Sequence, residues 1–356
     1  MRMARWRGLI LAGLMAPMIL PLRANNAGPV SQPAAAGLTN RTGIVYSART
    51  AKIYVVDGEH GGVVIIPAQG AVKRVRTGAG PVAIAANEQT GYIFVANEED
   101  RSISVIDGST DTVITTVKTG AQPYAIAVDE KADRVFVSNT FSDKLTVMDG
   151  QTNRLTSVKT GSADALVVDT QRAKVYLLGY EGNSIKVLNE TTSAITKLSA
   201  GAMHLWGMAK LGTTLYVTHV QGADVEAIDV ETQATREIAT RAMPCALAVD
   251  QVRNEVYVAN YAAGSVSLIG ARLGTTLATV EIGGHPQAIA VDAVKGLIFV
   301  ADAQGQAVSV IDARTRRIKG RIKVDGWPYA LAVDLRTHRV FAATTGPGPY
   351  TEVEVP

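Results

Sequence analysis

The sequence predicts an all-β fold, a β-propeller of four-stranded antiparallel blades with eight blades expected and seven as the alternative. Three observations carry this: an apolar pentad that recurs eight times, turn residues punctuating short β-type runs, and no helical period beyond the first residues. The pentads are Ile53–Asp57, Ile93–Asn97, Val135–Asn139, Val175–Gly179, Leu215–His219, Val256–Asn260, Ile298–Asp302 and Val340–Thr344. Their start-to-start spacings are 40, 42, 40, 40, 41, 42 and 42 residues. A unit of that length cannot bury its own faces alone, so neighbours must stack.

Residues 1–24 read as a cleavable signal peptide. Arg2, Arg5 and Arg7 precede an apolar stretch from Leu9 to Leu22, and Leu22-Arg23-Ala24 supplies a small residue at the expected cleavage point. The expected location is therefore the periplasm or the exterior. Of the 35 basic residues four lie in this segment, which holds no acid, leaving 31 against 32 acidic residues, a net of −1. A near-neutral mature chain lacks the bulk electrostatic footprint of a nucleic-acid binder. Residues 25–41 read as a leader with a possible ring-closing strand near Ala36–Thr39, and 42–356 as one propeller domain. The single cysteine, Cys245, leaves no intrachain disulfide, so packing must supply the stability.

Within residues 120–160, Gly120–Pro123 forms a turn and Tyr124–Val128 a first strand. Arg134–Ser138 is a second, Leu145–Met148 a third and Leu155–Lys159 a fourth. The second strand is continuously apolar, as in Val135-Phe136-Val137, which suits burial on both faces. The fourth, as in Thr115-Thr116-Val117-Lys118, suits an exposed edge. Alanine occupies one register of the first strand at Ala83, Ala125, Ala165, Ala246, Ala288 and Ala330, so this strand belongs innermost, where space is tight. Ile44–Ser47 is expected to open the first unit, and Glu352–Val355 to be the third strand of the last.

Leu215-Tyr-Val-Thr and Val256-Tyr-Val-Ala-Asn, with the Gly-x-x-Pro-x-Ala-Ile-Ala-Val-Asp openings at 120–129 and 283–292, resemble the YVTN-repeat β-propeller family. The resemblance covers residues 42 to 356 and implies an exported propeller. Related propellers include lactonases and d-type-haem proteins, but a shared fold does not transfer their chemistry.

Covalent and phosphate-binding motifs are absent from the sequence. Gly78-x-Gly80-x-x-Ala83 fits a dinucleotide pattern but enters a strand, which offers no helix terminus to a pyrophosphate. Asp57-Gly-Glu59-His60 reads as a polar loop, and the recurrent Asp129, Asp169, Asp250, Asp292 and Asp334 as turn caps. Unit five departs from the repeat: Trp206 is read at the alanine register, His204 at the Pro register, and His219 ends the second strand where others carry Asn or Asp. His285 and Trp327 lie just before the Pro register, Tyr124 and Tyr329 just after it, and Tyr180 extends the same rim.

These residues sketch an aromatic and histidine-bearing mouth of the central channel. The expected function is a non-catalytic binding module for a protein, peptide or small ligand, with no cofactor. The alternative is a channel-mouth enzyme or cofactor carrier. It would hold a metal ion as a lactonase does, or a haem on His204 or His219.

Overall fold

Short apolar strands separated by polar turns fold into eight antiparallel meanders in the computed structural model, which describes residues 43–179, 182–201 and 204–355. Seven sheets have four strands, and the last has three among the described residues: Trp327–Val333, Val340–Thr345 and Tyr350–Val353. The expected signal peptide, the leader and the ring-closing segment near 36–39 lie outside the described residues, as does Tyr180. The first strand, Ile44–Ser47, falls where the sequence places it. The last, expected at 352–355, begins two residues earlier, because Tyr350 pairs with Ala343 across the turn that follows Thr345.

First strands of successive blades lie side by side around the axis, and the first strand of blade eight reaches that of blade one. The ring is therefore closed by contact as well as by count. Eight apolar clusters fill the gaps between blades, one per seam. The second residue of every pentad is aromatic: Tyr54, Phe94, Phe136, Tyr176, Tyr216, Tyr257, Phe299 and Phe341, each at most 1% exposed. Each ring sits in the seam toward the following blade, and Phe341 packs with Ile44, Ile53 and Val55 of blade one. Burying such a side chain contributes about 1.5–3 kcal/mol, so the ring of aromatics is a principal source of blade-to-blade adhesion.

The recurrent acids cap turns. Asp129 Oδ1 accepts the amides of Lys131 and Ala132, and Asp250, Asp292 and Asp334 do the same for the residues two and three positions on. The fourth strands are exposed edges, Arg317–Lys323 being the most basic. Turns joining strands one to two and three to four lie at one end of each blade. The loops joining strands two to three, and the links between blades, lie at the other.

Candidate functional site

At the inter-blade-link end, the first strands of blades two, three, five, six, seven and eight enter through a bulge. Pro81 pairs with Asn97 but Ala83 with Ala96, and blades six, seven and eight repeat the shift between Pro244/Ala246, Pro286/Ala288 and Pro328/Ala330. The extra residue is set off the ladder where sheets converge. It is Val82, Tyr124, Trp206, Cys245, Gln287 and Tyr329 in blades two, three, five, six, seven and eight, while blade four pairs without a shift from Ala165 and Asp164 directly precedes that strand at the same end.

From blade five round to blade one, neighbouring first strands are linked at this end. Cys245 Sγ lies 3.3 Å from the Pro286 carbonyl and Gln287 Nε2 donates to the Pro328 carbonyl at 3.0 Å. Tyr329 packs over Gly43, where a Cβ would collide with its ring. Thr218 Oγ1 donates to the Cys245 carbonyl at 3.2 Å, tying blade five to blade six.

This geometry corrects the register read from sequence in unit five. Gly207, not Trp206, occupies the alanine register: its amide donates to Thr218 Oγ1 at 2.8 Å, as that of Ala125 does to Ser138 Oγ at 3.1 Å. Leu205 pairs with His219 as Pro244 does with Asn260, so Leu205 stands at the Pro register and His204 just before it. His204 accordingly has φ 61°, matching Gly80 at 63° and Met243 at 60°, the residues before Pro81 and Pro244. The cause is a shorter turn between the first two strands of blade five, Leu205–Leu211 and Thr214–His219, which defeats counting by a fixed period.

The ring is uneven. Trp206 is 8% exposed, Cys245 1% and Gln287 6%, whereas Val82, Tyr124, Asp164 and Tyr329 are half-buried. The blade five to seven side is thus filled, with Trp206 as its largest side chain. The side formed by Tyr329, Tyr124 and Asp164 reaches solvent. His285, just outside the bulge ring, stacks at 4.9 Å on Tyr261 and donates its amide to Asp302 Oδ1 at 3.0 Å. Trp327 is half-buried opposite Thr345. His204, Trp206, Tyr124, Tyr329, His285 and Trp327 therefore lie on the two registers that flank the Pro position at the same end of the channel.

His219 is different. In blades two and six the equivalent asparagine latches the following hairpin: Asn97 Nδ2 donates to Ser102 and Ser104, and Asn260 Nδ2 to Ser265 and Ser267. In blade five all three positions change together. His219 Nδ1 lies 3.1 Å from Asp224 Oδ2 and Nε2 3.7 Å from Glu226 Oε2, with His219 and Glu226 each 3% exposed. Glu226 Oε2 also accepts the Gly201 amide at 2.8 Å. Burial pulls the imidazole pKa down, but the Glu226 and Asp224 carboxylates outweigh it and the net shift is upward. The imidazole is turned toward its own hairpin, so the structure does not bring it to the mouth with Trp206.

An axial-ligand role does not fit His219, because both ring nitrogens face carboxylates within its blade. Among the described residues no group of three or more His, Cys, Asp or Glu side chains is arranged to hold a metal ion. The Asp57 loop is a plain polar loop: the carboxylate, 2% exposed, holds His60 at 3.0 Å and also Arg74. Gly78–Ala83 runs into the strand Pro81–Ala86, as expected. Sequence reading missed Asp164 and the Asp224/Glu226 pair. The pair had a legible signal, since Glu226 replaces the Ser or Thr of Ser104, Thr146, Ser267 and Ser309.

Residues 77–247 match the family described as YNCE-like beta-propeller. The eight-bladed ring is consistent with a YVTN-type propeller. No curated protein matches the sequence. Similar solved structures include dihydro-heme d1 dehydrogenase NirN in complex with DHE, at 16% identity and TM-score 0.68, over 88% of this chain and 72% of that one. The computationally designed Ika8 protein is 14% identical with TM-score 0.72, over 89% and 98%. Kuenenia stuttgartiensis hydrazine synthase is 13% identical with TM-score 0.60, over 92% and 99%. At these identities the likeness concerns the fold alone.

Proposed function

We propose that this chain, a ring of eight blades with a YNCE-like propeller match, is an exported, non-catalytic binding module that engages a protein, peptide or small ligand at one mouth of its channel. The observation that carries the reading is the set of bulges in six blades, which brings one side chain from each of them to the mouth and leaves Tyr124 and Tyr329 half-buried there, with Asp164 of blade four at the same end. Tyrosine suits recognition because it offers large contact area with a polar tip at small entropic cost. Asp164 would favour a ligand carrying a donor or cationic group. Trp206, held beside Cys245 and Gln287, gives the mouth a fixed wall, and Trp327 and His285 extend its rim.

Photo-crosslinking tests this directly. A benzophenone amino acid replacing Tyr124 or Tyr329 is expected to capture one defined partner from a periplasmic extract, while the same probe at Gln171, at the opposite end, captures none. Equal capture at all three positions, or none at any, refutes the reading. Turnover of a lactone that is lost in His204→Ala would instead establish the enzymatic alternative. A haem absorption band in native protein would establish the cofactor-carrier alternative.

A further inference from the structure

The end of the ring opposite the mouth is strongly asymmetric. In blades two to four the turn between the first two strands is polar at its apex: Glu88-Gln89, Glu130-Lys131 and Thr170-Gln171. In blades six to eight the same turn presents Val252, 72% exposed, Val294, 71%, and Leu335, 52%. Each aliphatic is followed directly by a base, Arg253, Lys295 or Arg336. The acids of these turns face inward as amide caps: Asp250, Asp292 and Asp334 are at most 3% exposed. At the apices solvent meets the aliphatics with Lys295 and Arg336, while Arg253 is held by Asp250 and, further out, blade eight exposes Glu352 and Glu354. Further out on the same end, the third-to-fourth-strand turns add exposed Arg272 and Leu273 in blade six and Arg314 in blade seven.

Position in the ring says what shape of partner this arc fits. The blades are in rotational register, as the Cys245–Pro286 and Gln287–Pro328 bonds between residues 41 apart require. Corresponding turns are thus carried round one axis at the same end of the ring, Leu335 standing one position earlier in its turn than Val252 and Val294. Exposed aliphatics on the turns of three neighbouring blades, each followed by a base, are spread over an arc rather than gathered into one groove for a peptide. They match a flat target that is apolar just below an anionic surface.

We propose that this end of blades six to eight docks on an anionic phospholipid bilayer, with Val252, Val294 and Leu335 entering the headgroup region and Lys295, Arg336 and Arg314 facing lipid phosphates. The mouth with Tyr124 and Tyr329 would then point away from the membrane, free to engage its ligand.

The test is co-sedimentation of the purified protein with vesicles of phosphatidylglycerol and phosphatidylethanolamine, against vesicles of phosphatidylcholine alone. Binding is expected to the anionic vesicles only, and to weaken as salt rises. Val252→Ser/Val294→Ser/Leu335→Ser should lower partitioning at least about tenfold. Lys295→Gln/Arg336→Gln should weaken binding and flatten its salt dependence, and Gln171→Ala should change nothing. A second readout does not depend on loss of binding: the emission of Val294→Trp should shift to the blue on anionic vesicles. The proposal is overturned if wild type stays in the supernatant, if the triple serine variant binds undiminished, or if the Val294→Trp emission does not move. Retention on a soluble sulfated polysaccharide, undiminished in the triple serine variant, would assign the bases to a polyanion and likewise overturn it.

Discussion

Most ring-end acids have a donor from a neighbouring side chain. Asp169 Oδ2 lies 3.1 Å from Lys210 Nζ, Asp250 Oδ2 2.9 Å from Arg253, and Asp292 Oδ2 2.6 Å from His338 Nδ1. Asp129 instead interacts with Glu190 of blade four, a carboxyl 5% exposed. Burial, then the Asp129 charge, push Glu190 up to about 7, with Arg134 acting in the opposite direction. An acid that holds its proton more tightly when folded favours the folded state below its unfolded value. That advantage is lost as pH rises from about 4.5 to about 7. His219, also shifted upward, has the same sign: its contribution is complete below the unfolded histidine range and fades as pH rises through the folded value. Urea unfolding should therefore show higher stability near pH 5 than near pH 8. Glu190→Gln should flatten that slope and gain about 2 kcal/mol at pH 8. His219→Ala should cost about 3 kcal/mol at pH 6, because it strands two carboxylates. A pH-independent wild type would contradict both assignments. The Cys245 thiol, pushed up to about 12 by burial, should ignore a thiol reagent in native protein and react once in denaturant.

At the scale of the strand, the innermost register is set by how closely neighbouring first strands approach. A Cβ on Gly207 would collide with the Cys245 carbonyl and crowd Thr218 Oγ1. Gly207→Ala should accordingly lower stability by about 2 kcal/mol, a loss read in a thermal melt, whereas the alanines of the sister blades already fit. An unchanged melting temperature would mean that blade five can shift outward at no cost. The same register shows how far sequence reading reaches. Six alanines marked the inner strand correctly, and the eight pentads marked the buried one. Blade five was misregistered by one residue because a fixed period assumes equal turns, and the turn before Thr214 is short. Only the pairing of Met208 with Val217 and of Leu205 with His219 reveals the shift.

At the scale of the molecule, stability depends on every seam being occupied. Blade eight contributes Ala330, Phe341 and Ala343 to its seam with blade one, and Val333, Val340 and Ala342 to its seam with blade seven. A chain ending at Asp325 would bare both faces at once. It should bind a hydrophobic dye and melt without a cooperative transition, and a soluble, cooperatively melting truncated chain would show that seven blades can re-close. The two ends of the ring differ in kind. One gathers a bulge side chain from each of six blades near the axis, and the other spreads aliphatic and basic tips across three neighbouring blades.

The linear order of residues determined the repeat, the strand types, the turn caps and the innermost strand, because periodicity, burial pattern and turn chemistry are local properties of a chain. It also pointed to Trp206, His204, His285 and the tyrosines as departures worth attention. Tertiary structure alone decided which departures share a surface. Whether a side chain faces the axis or its own hairpin depends on a bulge and a turn length, so Trp206 joined the mouth while His219 was drawn between Asp224 and Glu226. The aliphatic arc of Val252, Val294 and Leu335 likewise exists only once ring closure sets three separated turns side by side at one end, since nothing along the chain brings residues some forty positions apart together.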